Sequence, residues 1–332
     1  KGINRAGGGL TAPALTDKDK EDLKTAVALG ADYIAISFPK NAEDMKIARG
    51  LADAASKEFG HKTKLIAKIE RAEAVMPGVL EEILEVSDGI MVARGDLGVE
   101  LPLEQVPLVQ KRAVELARRW AKPVIVATQM LDSMITNSRP TRAEATDCAN
   151  AVLDGADALM LSGETSIGEF AIEAVETMAR IIQKTEEGGL DRIRPMINSP
   201  RTKGGAITKA ATEVGAIVEA KYLVAFTQSG DSARRMSRLR SPIPILALTP
   251  EVGTYNRMAL DWGVEPELTS SVKHTDEMVM QADTLLLSTK RCTEGELVVI
   301  VAGSPPGIPG STNAMRVHRV GDAVGGAAPA YR

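Results

Sequence analysis

The chain has 332 residues, room for two or three domains of ordinary size and a large buried core. Its 40 basic and 44 acidic residues leave a net charge of -4, the Lys and Arg are scattered, and aromatics are only 3%, which together exclude nucleic-acid binding as the main business. No apolar run nears the roughly 20 residues of a membrane span, and no signal-peptide core is present, which places the protein in the cytoplasm with Cys148 and Cys292 as reduced thiols outside any metal-ligand spacing.

Residues 1–15 are Gly-rich, with Gly7, Gly8 and Gly9 in a row, and read as loop. Thr16-Asp17-Lys18-Asp19 is a capping box in its acidic form, opening a helix that stops at Gly30. A strand over 33–38 follows, then a helix over about 41–59 closed by Gly60. Next come a strand over 64–69, an acidic helix over 79–86 and a strand over 89–93. Pro102 and Pro107 shape a loop before a helix over 106–120, and a strand over 124–127 comes next. The box Thr141-Arg-Ala-Glu144 starts a helix to 153, stopped by Gly155. A strand over 158–161 and a helix over 172–184 end the series.

These strands start about one strand-plus-helix unit apart, and each ends in polar groups: Ser37 and Lys40, Lys68 and Glu70, Arg94 and Asp96, Thr128 and Gln129, Ser162 and Glu164. Continuous apolar strands with functional groups at their C-terminal ends mark a parallel α/β barrel. Five units fall short of the eight that close a barrel, so the fold class is α/β, an incomplete TIM β/α barrel with its missing units expected upstream of Lys1. Residues 185–204, with Gly188, Gly189, Pro195, Pro200 and Gly204, have linker composition. A smaller α/β domain follows, with helices over 206–219 and 231–239 and strands over 222–226, 243–248, 297–302 and near 315–320. The tail 325–332 is small and polar and reads as mobile.

Lys68 and Glu70 are two apart on a strand, so both side chains leave on one face, and Asp96 ends the next strand beside them. Two carboxylates and a lysine make a Mg²⁺ site with positions open to substrate oxygens. The same residues also suit a salt-bridged barrel pair, with Asp96 as a helix N-cap. Gly95 and Gly98 let backbone amides approach an anion such as a carboxylate, or simply make a βα turn. Thr128 is a hydrogen-bond donor in the same cavity or a cap.

Lys68-Ile-Glu70, Met91-Val-Ala-Arg-Gly-Asp-Leu-Gly98, Lys122-Pro-Val-Ile-Val-Ala-Thr-Gln-Met-Leu131, Asn137-Ser-Arg-Pro-Thr-Arg-Ala-Glu144 and Leu161-Ser-Gly-Glu-Thr165 come in an order and spacing that resemble the signature run of the pyruvate kinases, of bacterial type. The resemblance covers essentially the whole chain. It implies phosphoryl transfer from phosphoenolpyruvate to ADP, giving pyruvate and ATP. It implies Mg²⁺ or Mn²⁺ held by Glu70 and Asp96, Lys68 neutralising the transferring phosphoryl group, and amides of Gly95 and Asp96 holding the substrate carboxylate. Thr128 would line the face where the enolate is protonated, with a water relay to Ser162. It also implies K⁺, whose ligands lie upstream of this numbering with the first barrel strands and most of the lid. Residues 1–15 would be the end of the lid and the segment returning to the barrel, 16–187 the catalytic barrel and 188–332 a regulatory domain. The loop Thr227-Gln-Ser-Gly-Asp-Ser232 would be an effector-phosphate loop built on Thr227, Ser229, Gly230 and Ser232, for a sugar phosphate or nucleotide, although Asp231 within it repels phosphate and Arg234, Arg235 and Arg238 equally suit a solvated basic face. The loop 303–313 matches a flexible effector-site loop, and the helix around Cys148 a subunit contact, implying a homotetramer. Two other readings remain: another Mg²⁺-dependent phosphoenolpyruvate or pyruvate enzyme on a TIM barrel, and a non-catalytic fragment keeping the effector site and oligomer contacts.

Overall fold

The computed structural model describes residues 13–196, 200–304, 306–308 and 310–323; most of the expected end-of-lid segment and the tail from 325 fall outside them. The chain forms two compact units that divide between Arg194 and Pro195.

In the first unit the elements run α1 (Asp17–Ala28), β1 (Tyr33–Ile36), α2 (Ala42–Phe59), β2 (Lys64–Ile69), α3 (Val79–Val86), β3 (Gly89–Ala93), α4 (Arg94–Glu100), α5 (Val106–Trp120), β4 (Val124–Ala127), α6 (Arg142–Asp154), β5 (Ala158–Met160), α7 (Gly163–Ser166) and α8 (Ala171–Gly189). The 5-stranded sheet is parallel and its strands lie in chain order, β1-β2-β3-β4-β5. That is barrel order; a doubly wound sheet reverses direction at a switch point. Local chemistry sets the helix ends. Thr16 and Thr141 close capping boxes with Asp19 and Glu144, Asn41 caps α2, and Gly60 (φ 72) and Gly155 (φ 96) end their helices in the left-handed region that costs glycine nothing.

Alternation along the strands separates two faces. Leu65, Ala67 and Ile69 of β2, Ile90 and Val92 of β3, and Val124 and Val126 of β4 join one hydrophobic core with the helices. Lys68 therefore points to the opposite face, in register with Met91, itself in register with Ile125.

Several boundaries differ from the sequence expectation. β1 stops at Ile36, because Phe38 turns into the left-handed region (φ 54), where strand geometry cannot continue. Asp96 does not end a strand; it sits in the first turn of α4. Pro107 lies inside α5, not before it, in a first turn where its missing N–H is no loss. Helix α8 carries on through Gly188 and Gly189, so the linker reading and the 187/188 boundary fall within a helix. Packing of its apolar face overrides the weak helix propensity of the two glycines.

The second unit contains α9 (Lys203–Ile217), β6 (Tyr222–Phe226), α10 (Asp231–Ser237), β7 (Ile245–Thr249), α11 (Val252–Met258), β8 (Val264–Leu268), α12 (Thr275–Ser288), β9 (Leu297–Gly303) and β10 (Thr312–Arg319). Its sheet has the order β10-β9-β6-β7-β8, parallel except for β10, which is antiparallel to β9. Leu223 and Ala225 face one core and Val224 the other, so the sheet is covered on both sides. α11, β8 and α12 have no counterpart in the sequence reading. β8 carries Glu265, Pro266 and Glu267, which hide a strand signal and are tolerated because β8 is an edge.

Candidate active site

The C-terminal ends of β2, β3, β4 and β5 bring the expected residues of the first unit to one rim. Lys68 Nζ lies 2.5 Å from Glu70 Oε1 and donates to Ser37 Oγ at 3.2 Å. Glu70 is fully buried, and its other oxygen, Oε2, accepts the Phe38 amide at 2.8 Å. Oε1 is taken up by the ion pair with Lys68, so both carboxylate oxygens meet a donor inside a buried site. Burial pushes the Glu70 carboxyl above its ordinary pKa, and the nearby Asp96 charge adds to this; Lys68 and the Phe38 amide oppose without prevailing. A buried carboxylate beside a second carboxylate, with spare lone pairs on its oxygens, is suited to a divalent cation. Among the described residues no group of three or more His, Cys, Asp and Glu forms a metal cluster, so two protein carboxylates would leave the other coordination positions to substrate and water.

Gly95 opens α4 with its amide donating to Thr128 Oγ1 at 2.7 Å, and that hydroxyl in turn donates to the Ala127 carbonyl at 2.6 Å. Thr128 (φ 69) and Gln129 (φ 53) are consecutive non-glycine residues in the left-handed region. Such conformations cost about 1 kcal/mol or more each and persist only where surroundings impose them. A side chain at Gly95 would start 3.3 Å from the Thr128 hydroxyl, tighter than ordinary contact, so the hydroxyl would have to shift to admit one. Ser162 lies just past β5, and Glu164, buried, ties the two neighbouring loops together: Oε1 accepts the Leu131 amide at 3.0 Å and Oε2 the Ser162 amide at 2.8 Å. Ser37, the Phe38 amide, Arg94 and Glu164 have no assigned role in the sequence reading. Ser37 and Glu164 do end apolar runs there, but the left-handed Phe38 has no sequence signal.

In the second unit, Thr227, Ser229 and Ser232 line a cavity of about 130 Å³ together with Ser270, Ser271 and Thr312. Gly230 (φ 80) is the turn that makes this possible, its amide donating to Thr227 Oγ1 at 2.9 Å. Among the described residues Asp231 is the one charged side chain on that lining, and Arg235 is paired to it at 2.6 Å. Arg234 donates to the Ser229 carbonyl. A larger cavity of about 550 Å³ borders β1 through Ile34, Ile36, Ser37 and Phe38, and Lys68 and Asp96 do not line it. We place the chemistry by the polar convergence at the rim and not by cavity size.

Comparison with known proteins is consistent with this geometry. Residues 1–175 match the family described as pyruvate kinase, barrel domain, and residues 205–318 the pyruvate kinase alpha/beta domain. The pyruvate kinase of Mycobacterium tuberculosis is 53% identical over 322 residues, covering 97% of this chain and 67% of that protein. The Corynebacterium glutamicum enzyme is 50% identical, with 97% and 66% coverage. The crystal structure of a pyruvate kinase from Cryptosporidium parvum superposes with a TM-score of 0.86 at 34% identity, covering 95% of this chain and 64% of that one. The chain thus spans about two thirds of the length of the relatives it matches.

Proposed function

The chain belongs to the pyruvate kinase family, a family of phosphotransferases, and from that premise we propose that the protein transfers the phosphoryl group of phosphoenolpyruvate to ADP, giving pyruvate and ATP in glycolysis. The observation that carries the reading is the convergence of Lys68, Glu70 and the Gly95–Thr128 pair at one strand-end rim.

Members of the family generally use Mg²⁺ and K⁺. Glu70 and Asp96 would hold the divalent ion, which when bound supplies positive charge to the enolate and phosphoryl oxygens. Lys68, held between Ser37 and Glu70, puts a cation where charge builds on the transferring group. The substrate carboxylate takes the Gly95 and Asp96 amides; at Gly95 it has to displace the Thr128 hydroxyl that occupies that donor. The freed hydroxyl then faces the enolate carbon, with Ser162 braced alongside by Glu164 for a water relay. In the second unit the hydroxyl-lined cavity at Thr227, Ser229 and Ser232 takes a sugar-phosphate or nucleotide effector. We assign the first unit, through Arg194, to catalysis and the second, from Pro195, to regulation, and a cytoplasmic homotetramer to the whole. No helix among the described residues is long and apolar enough to cross a membrane.

The test is a coupled assay of the full-length protein with phosphoenolpyruvate, ADP and Mg²⁺. ATP formation is expected, falling by about a hundredfold or more in Lys68→Met and Glu70→Gln. Pyruvate release without ADP, or full turnover in both variants, would sink the reading.

A further inference from the structure

Arg94 takes no part in the roles above, yet its guanidinium sits at the centre of the strained turn. Nη2 donates to the carbonyls of both left-handed residues, Thr128 at 2.9 Å and Gln129 at 3.0 Å, and lies 2.8 Å from Met130 Sδ. Nη1 donates to Asp147 Oδ2 on α6 at 2.5 Å, with Gln110 Oε1 on α5 at 3.4 Å. The side chain is 11% exposed. The next residue, Gly95, supplies the amide that donates to the Thr128 hydroxyl. One arginine thus fixes both partners of that pair, Thr128 through its carbonyl and Gly95 through the chain.

We propose that Arg94 is a positioning residue for Thr128, a role that rests on the phosphoenolpyruvate reading above: its planar fork, anchored by Asp147, holds Thr128 and Gln129 left-handed and keeps the Thr128 hydroxyl at the enolate face. Left-handed carbonyls at the end of β4 have turned away from the sheet ladder and need another donor. A guanidinium offers two on one nitrogen and a third to Asp147 from the other. Lysine, a point charge, cannot span the same set. Without the fork the turn relaxes toward the β region, and the Thr128 side chain swings away from the rim whether or not substrate has taken the Gly95 amide.

The experiment uses the full-length protein, with Arg94→Lys and Asp147→Asn. Exchange of pyruvate methyl protons into D₂O with Mg²⁺ and ATP reads the enolate step alone. In Arg94→Lys this exchange and kcat are expected to fall by about tenfold or more while KM for ADP stays within about twofold, a split that general loss of structure does not produce. Asp147→Asn should move the same quantities in the same direction by less, and it decides the matter if Arg94→Lys does not fold. Deuterium uptake by the amides of 124–131 and 91–98 reads the clamp without chemistry: faster in both variants, unchanged at 64–69. Exchange within twofold of the wild type in either folded variant, or unchanged uptake, overturns the proposal. A wild type that makes no ATP from phosphoenolpyruvate overturns the parent reading instead, and the uptake comparison still judges Arg94.

Discussion

Ser37 stands one residue past β1, and its hydroxyl is a hydrogen-bond partner of the Lys68 ammonium beside the Glu70 carboxylate. A hydrogen bond to a charged group contributes about 1.5 kcal/mol, close to a factor of ten in rate if it is needed in the transition state. Ser37→Ala is therefore expected to lower kcat by about tenfold with little change in melting temperature. Steady-state kinetics and calorimetry on the same preparation check it; unchanged kcat would remove Ser37 from the account. Asp88 shows charge used for folding instead of chemistry. Burial acts to raise its pKa, but Lys64 at 2.8 Å, the Leu65 amide at 2.9 Å and Arg49 outweigh it and hold the carboxyl below its ordinary value. A depressed carboxylate pKa contributes stability that is present above the unfolded value of about 3.9 and is lost as pH falls through the folded one. Urea midpoints should accordingly drop between pH 6 and pH 3 more steeply in the wild type than in Asp88→Asn. Parallel curves would show that Asp88 is not the linked group.

At the scale of elements, α6 shows how local chemistry alone sets both ends of a helix. The Thr141 hydroxyl accepts the Glu144 amide at 3.2 Å, and Glu144 Oε2 accepts the Thr141 amide at 2.7 Å and further braces Ser133. Thr141→Ala should cost about 1 kcal/mol. At the other end, Gly155 adopts φ 96, and an added Cβ would meet Arg118 Cδ at 2.7 Å. Gly155→Ala should cost more than Thr141→Ala, because strain at positive φ adds to displacement of the buried Arg118. Denaturant unfolding of the two variants gives the order, and the reverse order would mean Arg118 moves freely. These caps are visible in sequence because capping residues act within three or four positions. The end of α8 is not, since packing of its apolar face carries the helix across Gly188 and Gly189.

For the whole molecule, the described residues between Ile193 and Thr202 lie in no helix or strand, and the two compact units meet in sequence at Arg194. Brief trypsin treatment should first cut after Arg201 or Lys203, since Pro195 blocks cleavage after Arg194, giving two fragments whose masses divide there. First cuts inside α6 or β6 would contradict the division.

Much was legible from the residues alone: the β-α rhythm, the succession of barrel units, the capped helix ends and the placing of Lys68, Glu70 and Thr128 at strand ends follow from periodicities and motifs that act over a few residues, whereas Asp96, read as a strand end, sits in α4. The edge strand β8, with its Glu and Pro, was not, because an edge needs only part of a strand's usual signal. Nor was the clamp around Thr128. Arg94 and Asp147 are 53 residues apart, and they meet only because adjacent parallel strands return the chain to the same rim. Left-handed backbone at Phe38, Thr128 and Gln129 is imposed by such long-range contacts against local preference, and only the tertiary structure could decide it.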